Sequence, residues 1–198
     1  MTEAEHAWEL FANGQERWEL MMLTAYKDKG VAPQWVIDLN GDPINWAIGL
    51  GHTNANNMPP FVNKSTVLQN RFEGLEIFKR DIEKIYVPQL ETLFKKIDFT
   101  PPNEYYKLGF LGCIYNRGAG RLAGSDAGSK KFPNGSHAWH ILKNERGTKN
   151  WMVRAANALS HSHVGDFTPL DVDDNGVLQD GLISRRSFDT TLCMWKKL

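Results

Sequence analysis

The chain has 198 residues, 41% of them hydrophobic and 23% charged, the composition of an ordinary globular protein with length for one domain or two closely packed lobes. Its 23 Lys and Arg residues balance 23 Asp and Glu residues, so long-range attraction to a polyanion is not indicated and nucleic acid is disfavoured as the main partner. No apolar run is long enough for a signal peptide or a membrane span, and Met1 to Leu10 carries Glu3, Glu5 and Glu9 without a Lys or Arg. The expectation is a protein without a signal peptide or membrane insertion, kept in a cytoplasm until something releases it.

Residues 2–12 read as a helix, with Ala7, Trp8, Leu10 and Phe11 recurring near the helical period, and Asn13-Gly14 as its end. Gln15 to Lys27 reads as a second helix with Trp18, Met22, Ala25 and Tyr26 on one face. From Lys29 to Pro60 the composition turns rich in Gly, Pro and Asn. Short runs at Trp35-Val-Ile37 and Trp46-Ala-Ile48, with the turn signal Asn40-Gly-Asp-Pro43 between them, predict a small β-sheet.

Helical periodicity returns over Ser65 to Tyr86, through Val67, Phe72, Leu75, Phe78, Ile82 and Ile85, and Pro88 opens a further helix. Thr100-Pro-Pro102 marks a boundary before a strongly apolar helix over Asn103 to Tyr115, which Asn116-Arg-Gly118-Ala-Gly120 ends. Residues 124–136 are rich in Gly, Ser and Lys and read as a flexible loop. Short helices are expected at 137–144, 150–160 and 184–195, with a polar loop from Gly165 to Gly181. Cys113 and Cys193 are too few for a disulfide framework and are expected to be free buried thiols. The fold class is α+β: a mainly α chain with one small antiparallel sheet near its N-terminus.

Two carboxylates stand out. Glu19 lies beside Trp18, Met22 and Leu23, and Asp28 follows it by nine residues at the start of a Gly-containing loop. An acid and a carboxylate on either side of a scissile bond are what glycoside hydrolysis requires, and partial burial would raise the acid's pKa toward its working range. The residues alone leave a second reading open, in which both are solvent charges on a helix and its terminal turn.

Glu19-x3-Leu23-x-Ala25-Tyr26-x-Asp28, followed by Trp46-Ala47-Ile48-Gly49-Leu50-Gly51-His52, resembles the opening of the phage-type lysozymes (glycoside hydrolase family 24). That family's opening pattern is Glu-x-x-x-Leu-x-Ala-Tyr-x-Asp and then Thr-Ile-Gly-x-Gly-His. Three further segments resemble it in the same order: Phe78-Lys-Arg-Asp81-Ile82, Tyr115-Asn-Arg-Gly118-Ala-Gly120, and Gly176-Val-Leu-x-x-Gly181-Leu-Ile-x-Arg185-Arg186. Together they run from about residue 15 to 195.

The resemblance implies a single lysozyme-like domain over 1–198. It has lobes at roughly 15–64 and 65–198, a connecting helix, a helical C-terminal lobe and an extra helix at 1–14. It implies a muramidase or endolysin that hydrolyses the β-1,4 bond between N-acetylmuramic acid and N-acetylglucosamine, by a two-carboxylate inverting route and for cell lysis. Glu19 would be the general acid and Asp28 the second carboxylate. Thr53, Tyr115 and Asn157 would touch substrate, while His52 would pair with Asp81 as a brace and Arg185 or Arg186 would support Glu19. Peptidoglycan is the implied partner, the chain is expected to be a monomer, and no cofactor is needed.

The sequence also departs from the pattern. The family's Thr that helps hold the attacking water is here Ala47, with Thr53 or an asparagine of 54–57 as substitutes. The loop after Asp28 is longer by about a dozen residues. Segments 124–136 and 161–175 resemble insertions. These departures keep an alternative open: a lysozyme-fold protein with weakened catalysis that binds peptidoglycan or a protein.

No metal is expected. His137/His140 and His161-Ser-His163 lack further ligands at zinc spacing. Asp171-Val-Asp173-Asp-Asn175-Gly176 starts like a calcium loop, but Leu182 stands where the bidentate Glu belongs, so it reads as an acidic loop closed by a turn.

Overall fold

A computed structural model describes residues 1–27, 46–160, 165–171 and 179–195. The chain divides into two compact units, Gln15–Ile85 and a larger one built from Met1–Gly14 and Tyr86–Leu198. The architecture is α+β, mainly helical, with a small three-stranded antiparallel sheet.

Helix α1 runs unbroken over Glu3–Glu19. The break expected at Asn13-Gly14 is absent, because Gly14 serves packing instead. A Cβ there would lie 2.1 Å from the Phe188 ring, so only glycine lets that ring sit on the helix. The second helix expected to reach Lys27 is also corrected. Leu20 takes a left-handed φ of 48°, α1 stops, and Met22–Lys27 forms strand β1. Its Met22 and Tyr26 pair with Gly49 and Ala47 of β2 (Trp46–Gly49), which pairs in turn with β3 (His52–Thr53). The run Trp35–Ile37 and the turn at Asn40–Pro43 lie outside the described residues.

Helix α2 covers only Arg71–Asp81, a shorter span than the periodicity from Ser65 suggested. Asn70 caps it by accepting from the Glu73 N–H, while Thr66 and Leu68 bond to the backbone of β1. The core of this unit is Ile48, Val62, Leu68 and Ile77, with Ala25 and Trp46 against it. A π-helical turn at Ile82–Tyr86 follows, then α3 at Val87–Lys96 with Pro88 in its first turn.

In the larger unit α4 (Glu104–Arg117) is buried on nearly every side over Tyr105–Ile114, which explains why its sequence shows no clean polar face. Around it lie α5 (Ala119–Ala123), α6 (His137–Asn144), α7 (Trp151–Asn157) and α8 (Asp180–Cys193). α5 was not expected from the sequence, and α8 begins four residues before the span predicted from 184.

The loop at 124–136 is built rather than loose. Gly124 and Gly135 meet backbone to backbone, where a Cβ on either would fall within 2.8 Å of the other. The Ser136 N–H donates to Leu122 O, and Arg121 stacks over Phe132 at 4.5 Å. Cys113 and Cys193 are free and buried, as expected. Among the described residues no helix is long and apolar enough to cross a membrane.

Candidate active site

In the Gln15–Ile85 unit, Glu19 is the last residue of α1 and is half-buried, with two residues between it and the start of β1. Asp28 follows Lys27, the last residue of β1, and lies outside the described residues. The sheet register sets a row across one face. Ala47 pairs with Tyr26 on one side and with Thr53 on the other, and directly opposite residues of antiparallel strands share a face. Ile48, on the opposite face, enters the core of the unit.

Ala47 is completely buried rather than open to a cleft, so a hydroxyl at this position would sit against its cross-strand neighbours. Thr53 is half-buried, and its side chain does not cap the 3-10 turn that follows. Two of the asparagines suggested as substitutes are already engaged. Asn54 bonds both the carbonyl and the N–H of Val62, and Asn56 donates to Asp81 Oδ2 at 2.7 Å.

His52 and Asp81 are brought together inside this unit. His52 Nδ1 lies 2.6 Å from Asp81 Oδ2, and both side chains are buried. His52 Nε2 faces the Pro60 carbonyl at 2.9 Å. A carbonyl can only accept, and Asp81 Oδ2 already accepts from Asn56. Both ring nitrogens are thus engaged, one by the carboxylate and one by the carbonyl. The pair ties β3 and the Pro60 turn to the C-terminal end of α2.

In the larger unit Tyr115 is half-buried and edge-on to Tyr86, with ring centroids 5.3 Å apart. Asn157 ends α7 and is exposed. Trp151 packs edge-on against Phe99. The two arginines of α8 diverge. Arg185 bonds Asn116 Oδ1 at the end of α4. Arg186 is fully buried and pairs with Asp189 Oδ2 at 2.9 Å.

Asp189 was not singled out in the sequence, although an Arg and an Asp three residues apart on an amphipathic helix were the available signal. Burial pushes its carboxyl up to about 7, against the opposing pull of Arg186 and Arg185. Burial likewise pushes the Cys113 thiol, 3.8 Å from Asp189, up to about 12 and leaves it un-ionised at neutral pH. The calcium-like stretch lies mostly outside the described residues. No group of three or more His, Cys, Asp or Glu placed to hold a metal occurs among the described ones.

No known family profile matches the sequence, and no curated protein matches it. Solved structures do. A mutant of P22 lysozyme is similar with a TM-score of 0.56 at 18% identity, over 93% of this chain and 94% of that one. The active form of the P1 phage endolysin Lyz is similar with a TM-score of 0.55 at 18% identity, over 98% of this chain and 85% of that one. The fold is that of the phage lysozymes. At this identity the phage-lysozyme likeness speaks for the fold, and the chemistry rests on the residues themselves.

Proposed function

We propose that this chain is a muramidase of endolysin type, cutting the β-1,4 bond between N-acetylmuramic acid and N-acetylglucosamine in peptidoglycan. The observation that carries the reading is Glu19: a half-buried carboxylate at the end of α1, immediately before the sheet of a phage-lysozyme fold. Glu19 would protonate the leaving glycosidic oxygen. Asp28 would activate a water on the other face of the sugar, which gives inversion. Thr53 would supply the hydroxyl absent at Ala47, and Tyr115 and Asn157 would contact sugar. The His52–Asp81 pair would brace the β-built wall, and Arg185 and Arg186 would steady the helical side. No step requires a cofactor. The enzyme would stay in the host cytoplasm until a separate membrane lesion lets it reach the wall.

One observation favours a second reading. Ala47 is wholly buried and offers no hydroxyl, as in a lysozyme fold whose catalysis has weakened and which binds peptidoglycan or a protein partner. A turbidity assay on chloroform-treated Gram-negative cells separates the two. The wild type should clear the suspension, and Glu19→Gln should lose on the order of 10²–10⁴ in rate while its melting temperature holds. A wild type that binds walls without lysing them would establish the second reading. A folded Glu19→Gln protein with substantial activity would remove Glu19 from the mechanism.

A further inference from the structure

Among the described residues other than glycine, a left-handed backbone occurs at Leu20, Asn57, Asp98 and Asn150. Asn and Asp enter this region most easily, because a short polar side chain can bond locally. Leu20, at φ 48°, is the exception. It is the first residue past α1, and its N–H donates to Glu16 O at 3.2 Å. This single bond is the left-handed helix cap, a position where glycine is usual.

Burial does not offset the strain. The Leu20 side chain is 68% exposed, so backbone preference and the hydrophobic effect both favour glycine or asparagine there. The residue is nevertheless held in place on both sides. The Glu16 carboxylate takes a two-pronged bond from Arg71 at the start of α2. Met21 lies against Gly74, where a Cβ would come within 2.3 Å of its sulfur. Leu20 is therefore a fixed apolar projection, and it follows directly on Glu19. Consecutive Cα atoms are about 3.8 Å apart, so the two side chains spring from neighbouring points of one helix end. Strain kept beside a reacting group, with no gain in packing, points to a side chain retained for what it touches.

We infer that Leu20 contacts substrate at the Glu19 site and sets specificity there, covering a methyl-bearing substituent of the sugar beside the scissile bond. This rests on the muramidase reading. A branched aliphatic side chain has no flat face for a sugar ring to stack on, as an aromatic one has. It can instead cover a methyl group and remove it from water. The glycan of peptidoglycan offers two kinds close to its glycosidic bonds. The acetyl methyl is carried by both sugars, and the lactyl methyl by muramic acid alone.

Binding of soluble glycan to the full chain tests this, with Glu19→Gln as the parent so that nothing is cut. One probe is a chitin oligosaccharide, which carries acetyl groups only. The other is a peptide-free glycan of alternating N-acetylglucosamine and N-acetylmuramic acid. Leu20→Gly and Leu20→Asn suit the left-handed turn, so they should melt at or above the parent temperature and bind about three- to tenfold more weakly. Leu20→Met keeps an apolar side chain and should bind within about twofold of the parent. Loss on both probes assigns the acetyl methyl, and loss on the muramic glycan alone assigns the lactyl methyl. In the chain that retains Glu19, Leu20→Gly should raise KM on cell walls and leave kcat unchanged. Unchanged binding and KM in a folded Leu20→Gly protein overturn the inference. So does a lower melting temperature in both the Gly and Asn variants, because the leucine then serves the fold. If the wild type lyses cells, these outcomes remove only the role of Leu20. A wild type that neither lyses cells nor binds either probe removes the muramidase reading with it.

Discussion

Asp81 with His52 in one unit, and Asp189 with Arg186 in the other, are both acids buried against bases, yet their surroundings differ. Asp81 Oδ2 accepts from His52 and Asn56, and both nitrogens of His52 are engaged. The residues concerned come from β3, the turns after it and α2, so the pair joins separate elements. Arg186 and Asp189 lie one turn apart on α8, and three polar atoms are left over. Nε and Nη1 of Arg186 and Oδ1 of Asp189 are buried without hydrogen-bond partners. The glycine surface of α4 is why α8 can bring Asp189 so close: a Cβ on Gly112 would fall 2.2 Å from Asp189 Oδ1. In the first pair one atom, Asp81 Oδ1, is also buried without a hydrogen bond, with Arg80 Nη2 3.6 Å away, against three in the second, so the two pairs differ in degree in how far hydrogen bonds offset desolvation.

The largest expected effect comes from isolating one charge of the under-bonded pair. Arg186→Met takes away the charge that holds the Asp189 carboxyl down and leaves a buried acid without its partner, and should cost about 3–5 kcal/mol in urea unfolding at pH 8. Adding Asp189→Leu should recover most of that loss. A double variant as unstable as the single one would show that the pair contributes through shape, and the contrast with His52–Asp81 would collapse.

Asp81→Asn is the matching cut in the other unit. It keeps an accepting oxygen and loses the charge, so it should cost about 1–3 kcal/mol. Stability should fall more than turnover in the lysis assay. Lost activity at unchanged stability would instead give the pair a part in the chemistry.

The smallest effect is a slope with pH. Burial raises the Asp189 carboxyl from 3.8 to about 7 in the folded chain, so the fold favours its protonated form. The resulting stabilisation is complete below the unfolded value and is lost as pH rises through 7. Asp189→Asn removes this dependence, so its stability relative to wild type should climb between pH 5 and 8. Urea midpoints of both proteins across that range measure it, and parallel curves would show that Asp189 does not titrate there.

Signals carried within a few residues were the ones the sequence disclosed. Pro88 opens α3, and α3, α4 and α6 fall close to where the pattern placed them, although the caps Asn103 and Ser136 were read as a helix residue and a loop residue. The failures share a different cause. Gly14 reads as a helix end until Phe188 is seen against it. The apolar spacing of Met22, Ala25 and Tyr26 suits a helix face as well as a strand, and cross-strand pairing with β2 settles the choice. Val67 belongs to a helical periodicity on paper but to the sheet in space.

At the site, the meeting of His52 and Asp81 was legible through a family pattern. The engagement of Asn54 with Val62 and of Asn56 with Asp81 was not, because a run of asparagines does not reveal which backbone or carboxylate each will reach.

The path of α1 across the chain's division bears on the order in which the protein is made. Gln15–Ile85 is contiguous, so all of it has left the ribosome before most of the larger unit exists. Met1–Gly14, synthesised before it, belongs to that later unit. Its His6 bonds the Tyr105 hydroxyl, and its Gly14 takes the ring of Phe188. The first half of α1 therefore emerges before its partners and must wait until the chain has been made as far as Phe188. The half that ends in Glu19 can meet its own sheet early in synthesis.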